Sequence, residues 1–160
     1  MVSSNLSDFD PASLPPATDM RFGIVVSEWN SEITQSLFDG VYSTLIDAGC
    51  NEEDIKRHNV PGSFELPLGA QWLLDSVAPD AVICIGCVIK GETPHFDFIC
   101  GAVATGIMNL QLDYSIPVVF GVLTTNNLQQ AYDRSGGKYG NKGVEAAVTA
   151  IRMVASKRSL

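Results

Sequence analysis

Basic residues are scarce in this chain: ten Lys and Arg stand against eighteen Asp and Glu, a net charge of −8. A protein that grips a phosphate backbone by charge needs the opposite balance, so nucleic acid is not an expected partner. Long apolar runs are missing too. None approaches the roughly 20 residues that cross a bilayer, and residues 1–20 hold neither Lys nor Arg, which signal and transit peptides require. The expectation is a cytoplasmic chain with no membrane partner. The cysteines number four (Cys50, Cys84, Cys87, Cys100), too few for a disulfide scaffold, and three lie in apolar stretches where a free thiol behaves as a small hydrophobe. Cys84 and Cys87 spell C-x-x-C. In an extended strand, residues three apart point to opposite faces, so the pair suits neither a shared metal nor a ready disulfide, and no metal site is expected. No G-x-x-x-x-G-K-[S/T] occurs, which argues against nucleotide hydrolysis.

What is present is enough apolar residue for one ordinary core: 46% of 160 positions. Residues 1–20 hold Pro11, Pro15 and Pro16 among Ser, Asp and Asn, a composition read as an N-terminal arm that orders against a neighbouring subunit. From Arg21 onward the texture is that of a single domain, residues 21–160. Phe22–Val26 is a β-branched apolar run, the mark of a strand covered on both faces. Ile33, Leu37, Val41 and Leu45 recur every four residues, one face of a helix ending at Gly49. A strand is expected over Ile55–Val60, a turn at Pro61-Gly62 and a helix over Phe64–Val77. Asp80–Ile89 is almost wholly apolar and belongs at the centre of a parallel sheet. A helix from about Pro94 to Tyr114, a strand over Pro117–Leu123, a short helix near Leu128–Arg134 and a final helix carrying Val144, Val148, Ile151 and Met153-Val154 complete the pattern. Strands alternating with helices make a three-layer α/β/α sandwich on a central parallel sheet, of flavodoxin-like type.

Ligands of open parallel sheets bind beyond the carboxyl ends of the strands, so the loops after each apolar run carry the chemistry. The loop after the third strand is the richest. Thr93 is a good N-cap and Pro94 suits the first helical position, so a helix start with free N–H groups faces the loop; with Gly91 this is an anion site, or else merely a capped helix. His95 falls in the first turn, where the positive end of the helix dipole favours a neutral ring able to take a proton; a structural histidine is the plainer alternative. His58, in a polar stretch, reads as a surface residue. Arg134, Lys138 and Lys142 cluster around Gly136-Gly137 and Gly140, either an anion contact or a solvated helix end. Trp29, followed by Asn30, is either core or a stacking platform for a planar ring. Glu65, after Ser63-Phe64, is either a ligand for hydroxyls and ring N–H groups or a first-turn carboxylate.

Together these segments resemble the lumazine synthases, which make 6,7-dimethyl-8-ribityllumazine for riboflavin. The likeness runs through Trp29-Asn30, Val60–Glu65, Gly86–Asp97, Pro117–Gly121, Leu123–Thr125, and Arg134 with Gly140–Gly143. It implies condensation of 5-amino-6-(ribitylamino)uracil with 3,4-dihydroxy-2-butanone 4-phosphate: an imine forms, phosphate leaves, and the ring closes with loss of water. Trp29 matches the aromatic that stacks on the pyrimidine. Ser63, Phe64, Glu65, Cys87, Val88 and Ile89 match the segments that hold the ring and ribityl chain, with Asn30 and Lys90 beside them. Gly91, Glu92, Thr93 and Arg134 match the phosphate site, and His95 the proton-transfer residue. Phe120, Arg134 and Lys142 match residues supplied by an adjacent subunit. No cofactor is implied, because the amine substrate is itself the nucleophile.

Two positions depart from the family pattern. Glu92 stands where many members carry a small or neutral residue, so its carboxylate must turn away and leave its N–H to the phosphate. Trp29 replaces the commoner Phe, a larger surface on which a flavin could stack. The resemblance further implies a homopentamer, with the N-terminal arm adding a strand next door, and an association with riboflavin synthase. The short Gly136–Gly143 connection lacks the insertion of some strictly pentameric members, which points to the icosahedral, sixty-subunit shell. The alternatives are a flavin carrier, whose phosphate cradle is missing from the acidic, glycine-free loop Ser27–Ser31, and an inactive shell protein, against which His95, Arg134 and Lys142 speak.

Overall fold

A computed structural model describes residue 5 and residues 7–160; the remainder of the expected arm, residues 1–4 and 6, lies outside the described residues. Four strands form one parallel sheet: β1 (Phe22–Ser27), β2 (Ile55–Val60), β3 (Ala81–Ile89) and β4 (Val118–Thr125), in the order β2-β1-β3-β4. This is the opening of the flavodoxin-type order, whose switch point, and hence ligand crevice, lies between β1 and β3. Helices cover both faces, as a sheet with apolar residues on each side demands. Alternation along the strands sorts the core in two. Phe22, Ile24, Val26, Ile83, Ile85 and Cys87 pack toward α1 (Ser31–Asp47) and α5 (Lys142–Arg158). Val25, Val82, Cys84 and Val122 pack toward α2 (Leu66–Val77) and α3 (His95–Tyr114). Cys84 and Cys87 therefore end in different layers, as strand geometry requires.

The stripe Ile33, Leu37, Val41 and Leu45 is fully buried on α1, and α4 (Leu128–Arg134) has the expected bounds. Several details differ from expectation. The segment before Arg21 is not merely an arm: the Ala17 N–H donates to the Ala48 carbonyl at 2.8 Å, and Ala17 and Met20 are buried in the α1/α5 core. Phe64 lies in a 3-10 turn over Ser63–Glu65, and the α-helix starts at Leu66. Met153 is exposed while Val154 is buried, because neighbours on a helix cannot share one face. His58 is half-buried, its ring edge against Trp72 at 5.9 Å. The glycine-rich stretch folds as a small antiparallel hairpin, β5 (Ser135–Gly137) with β6 (Gly140–Asn141). No helix among the described residues is long and apolar enough to cross a membrane.

Candidate active site

The strands of the crevice are unequal. β1 pairs with β3 only from Phe22↔Ala81 to Val26↔Ile85, whereas β4 follows β3 to Ile89↔Thr125. The end of β3 thus stands above β1 as a step, bordered by Asn30, Ser63 and the loop that begins at Lys90. Trp29 is fixed through its backbone: its N–H donates to the Pro61 carbonyl at 3.0 Å. Its ring rests on Gly62, where an added Cβ would lie 2.5 Å from Trp29 Cε3. The residue is nonetheless 68% exposed, so the indole is a supported but open platform. Asn30 takes a left-handed conformation (φ 58°, ψ 46°) and its Nδ2 donates to the Cys87 carbonyl at 3.0 Å.

Ser63 is buried, and its Oγ would lie 2.6 Å from a Cβ on Gly86. Phe64 is exposed beside it. Glu65 closes the turn, with Oε2 accepting the Gly62 N–H at 3.1 Å, so one carboxylate oxygen does the first-turn work and the other stays free of it. Cys87 is buried, and burial pushes its thiol up to about 11; the fully buried Cys84 is pushed up to about 12 for the same reason. Neither is a thiolate nucleophile near neutral pH. Val88 and Ile89 are half-buried, and Lys90, Gly91, Glu92, Thr93 and His95 are all exposed on the loop that leaves the step. A Cβ on Gly91 would meet nothing within 4 Å, which leaves its backbone open to a ligand.

Thr93 is not the N-cap. Pro94 holds that position with φ −69° and ψ 4°, no side chain caps the helix, and its carbonyl accepts the Asp97 N–H at 3.0 Å. The fixed proline φ already suits a helical turn, so the first turn tightens around Pro94 rather than Thr93.

Phe120, Arg134 and Lys142 come together elsewhere, on a cavity of about 350 Å³ along the edge strand β4, which Thr125 and Gln130 also line. Arg134 Nη1 donates to the Gln130 carbonyl at 3.2 Å, and its guanidinium lies over the Tyr139 ring at 4.8 Å. Lys142 is paired with Glu145 at 2.7 Å. Lys138 does not join them; its ammonium sits over Tyr139 at 5.2 Å. Phe120 is level with Cys84, three residues before Cys87, so it lies roughly 10 Å back from the step along the strand direction.

Two polar groups at the same strand ends were not among the candidate site residues. Ser27 and Thr125, the last residues of β1 and β4, are buried, and their hydroxyls have no hydrogen-bond partner among the described residues. A hydroxyl closing an apolar strand was the available signal. Among the described residues, no three His, Cys, Asp or Glu side chains stand close enough to hold a metal.

A family model described as 6,7-dimethyl-8-ribityllumazine synthase matches residues 19–158. The chain is 56% identical over 154 residues to a protein of that name from Cytophaga hutchinsonii, covering 96% of each chain. It is 56% identical over 151 residues to one from Flavobacterium johnsoniae, covering 94% of this chain and 80% of the relative. The figure is 54% over 150 residues for one from Parabacteroides distasonis, with 94% of each chain covered. With its parallel sheet, its crevice and these relatives, the chain belongs to the 6,7-dimethyl-8-ribityllumazine synthase family.

Proposed function

We propose a division of labour for the condensation that membership of this family assigns to the chain, with each active site shared between two subunits of a homo-oligomer. The reaction joins 5-amino-6-(ribitylamino)uracil to 3,4-dihydroxy-2-butanone 4-phosphate and releases phosphate and water. Trp29 stacks on the pyrimidine. Ser63–Glu65 and the β3 step from Cys87 to Lys90 hold the ring edge and ribityl chain. The backbone of Gly91–Thr93 faces the phosphate, and His95 carries protons between the amine, the carbonyl oxygen and the departing groups. Orienting two bound reactants supplies most of what such a condensation needs, because the amine attacks the carbonyl without help from a protein nucleophile.

The remaining contacts, Phe120, Arg134 and Lys142, come from the adjacent subunit. The observation that carries this reading is the position of Phe120: it shares a cavity with Arg134 and Lys142 on the free edge of the sheet, and it lies roughly 10 Å back from the step its own chain builds. An edge cavity with two cations suits an anionic substrate group presented by a neighbour. The assembly is a pentamer, repeated as an icosahedral shell in the cytoplasm, able to associate with riboflavin synthase.

Mixing variants tests the shared site. His95→Ala chains and Arg134→Ala chains, each slow alone, are unfolded together and reassembled. A shared site restores about one wild-type site in four, because random neighbours then bring an intact His95 to an intact Arg134. A mixture no faster than the mean of its two components assigns both residues to one chain instead.

A further inference from the structure

Asn30 does something that its place at the start of a helix does not ask of it. An Asn before a helix normally turns its side-chain oxygen onto the N–H groups of the first turn. Here it makes no such bond; it sits at φ 58° and gives its amide N–H to the carbonyl of Cys87, 57 residues away. That carbonyl belongs to the part of β3 that has outrun β1, since their pairing ends at Val26↔Ile85. The bond therefore spans the switch-point crevice and replaces a ladder bond that β1 is too short to make. A buried or half-buried carbonyl without a donor is costly, and a left-handed residue other than Gly is also costly. The position meets two demands at once: tolerance of the left-handed region and a side-chain N–H donor. Gly meets the first, Asp meets the first but cannot donate, and most longer or branched side chains fail it.

We infer that Asn30 is a positioning residue for the reaction, one that fixes the gap between the Trp29 platform and the β3 step so that a planar ring fits between them. It acts through Cys87 and need not touch the substrate. Its neighbour Trp29 is tied to Pro61 and its side chain to Cys87, so one dipeptide sets both walls. The inference rests on the proposed pyrimidine site, but its structural half stands apart from turnover.

Two variants of the full chain test it, Asn30→Gly, which keeps the backbone and loses the donor, and Asn30→Asp, which keeps the shape and loses the donor. Amide hydrogen exchange over residues 86–90 is read by mass spectrometry, alongside the thermal midpoint and the KM for each substrate. Loss of one hydrogen bond speeds local exchange about fivefold in Asn30→Gly. The thermal midpoint falls by only about 2–4 °C, and the KM for the pyrimidine rises several-fold while that for the phosphorylated ketone holds. Asn30→Asp shows the larger effect, because a carboxylate then faces a carbonyl. Unchanged exchange over 86–90 in both variants overturns the inference, as does an equal rise in both KM values. If the wild type itself shows no turnover, the reaction reading fails, and exchange still decides whether Asn30 holds the strand.

Discussion

Gly86→Ala is the substitution whose effect the packing defines most sharply. Gly86 lies on β3 where the ladder to β1 has ended, and its missing side chain faces Ser63 and α2. An added Cβ would lie 2.6 Å from Ser63 Oγ, 2.9 Å from Leu66 Cδ1 and 3.3 Å from Ser27 Oγ. Leu66 is fully buried and Ser63 nearly so, so neither moves freely. Gly86 is not among the glycines with positive φ, hence Ala meets no backbone strain and gains about 0.4–1 kcal/mol by restricting the unfolded chain. Overpacking of this kind costs about 1–3 kcal/mol. At the middle of both ranges the net loss is about 1.3 kcal/mol, a fall in thermal midpoint of roughly 3–5 °C for a chain of this size. The assay is thermal unfolding at one fixed protein concentration, because any self-association would add to apparent stability. Ser63→Ala in the same chain removes the nearest clashing atom and recovers part of the loss, a coupling that two independent sites would not show. On the proposed division of labour, the Gly86→Ala displacement of Ser63 also raises the KM for the ribityl substrate. A midpoint equal to or above wild type would refute the packing argument, and with it the reason for a glycine here.

Two further outcomes follow from the site and the core. Trp29 is exposed on a firm support, so riboflavin added to a Trp72→Phe chain quenches the remaining indole fluorescence; no quenching at high micromolar flavin removes the stacking platform. Cys84 has its thiol pushed by burial from 9.0 to about 12. The folded state then holds the proton longer than the unfolded one, so this contribution to stability is full below about pH 9 and lost as pH climbs toward 12. Cys84→Ala is less stable throughout, yet its unfolding free energy from urea melts falls less steeply between pH 9 and 11. A slope equal to wild type would mean that Cys84 does not titrate with unfolding.

The parts of the fold legible in the sequence are those in which one interaction repeats. Four apolar residues at helical spacing define α1, and an unbroken apolar run puts β3 between two covered faces, because burial is the same demand made again at each turn or residue. Features resting on a single contact did not show. Ala17 and Met20 hold the first segment to the core without any period. The β5/β6 hairpin is built on glycines, whose lack of side chains erases strand alternation. Thr93-Pro94 carried two good signals for one cap, and the fixed proline φ won. The candidate site divides the same way: loops after strands were readable because a parallel sheet puts them at one end, but the separation of Phe120, Arg134 and Lys142 from the rest depends on β4 being an edge, a property of strand order rather than of local sequence.

The step at the end of β3 explains why backbone, rather than reactive side chains, dominates the proposed pyrimidine wall. Alternate residues of a parallel strand turn their N–H and C=O groups to the same neighbour. The Lys90 N–H donates to the Thr125 carbonyl on β4, so the even-numbered residues here face β4 and the odd ones face the side where β1 has stopped. Cys87 and Ile89 are the odd residues of the step. Asn30 takes the Cys87 carbonyl, which leaves the Ile89 amide on the side where β1 has stopped. On the proposed reading, the donor and acceptor edge of a pyrimidine completes the sheet at that point, where a third residue of β1 would otherwise have lain. A strand end that is longer than its neighbour and bonded on one side only is a poor structure by itself and a good site for a flat, hydrogen-bonding ring. Shortening β3 would remove the site, and lengthening β1 would fill it.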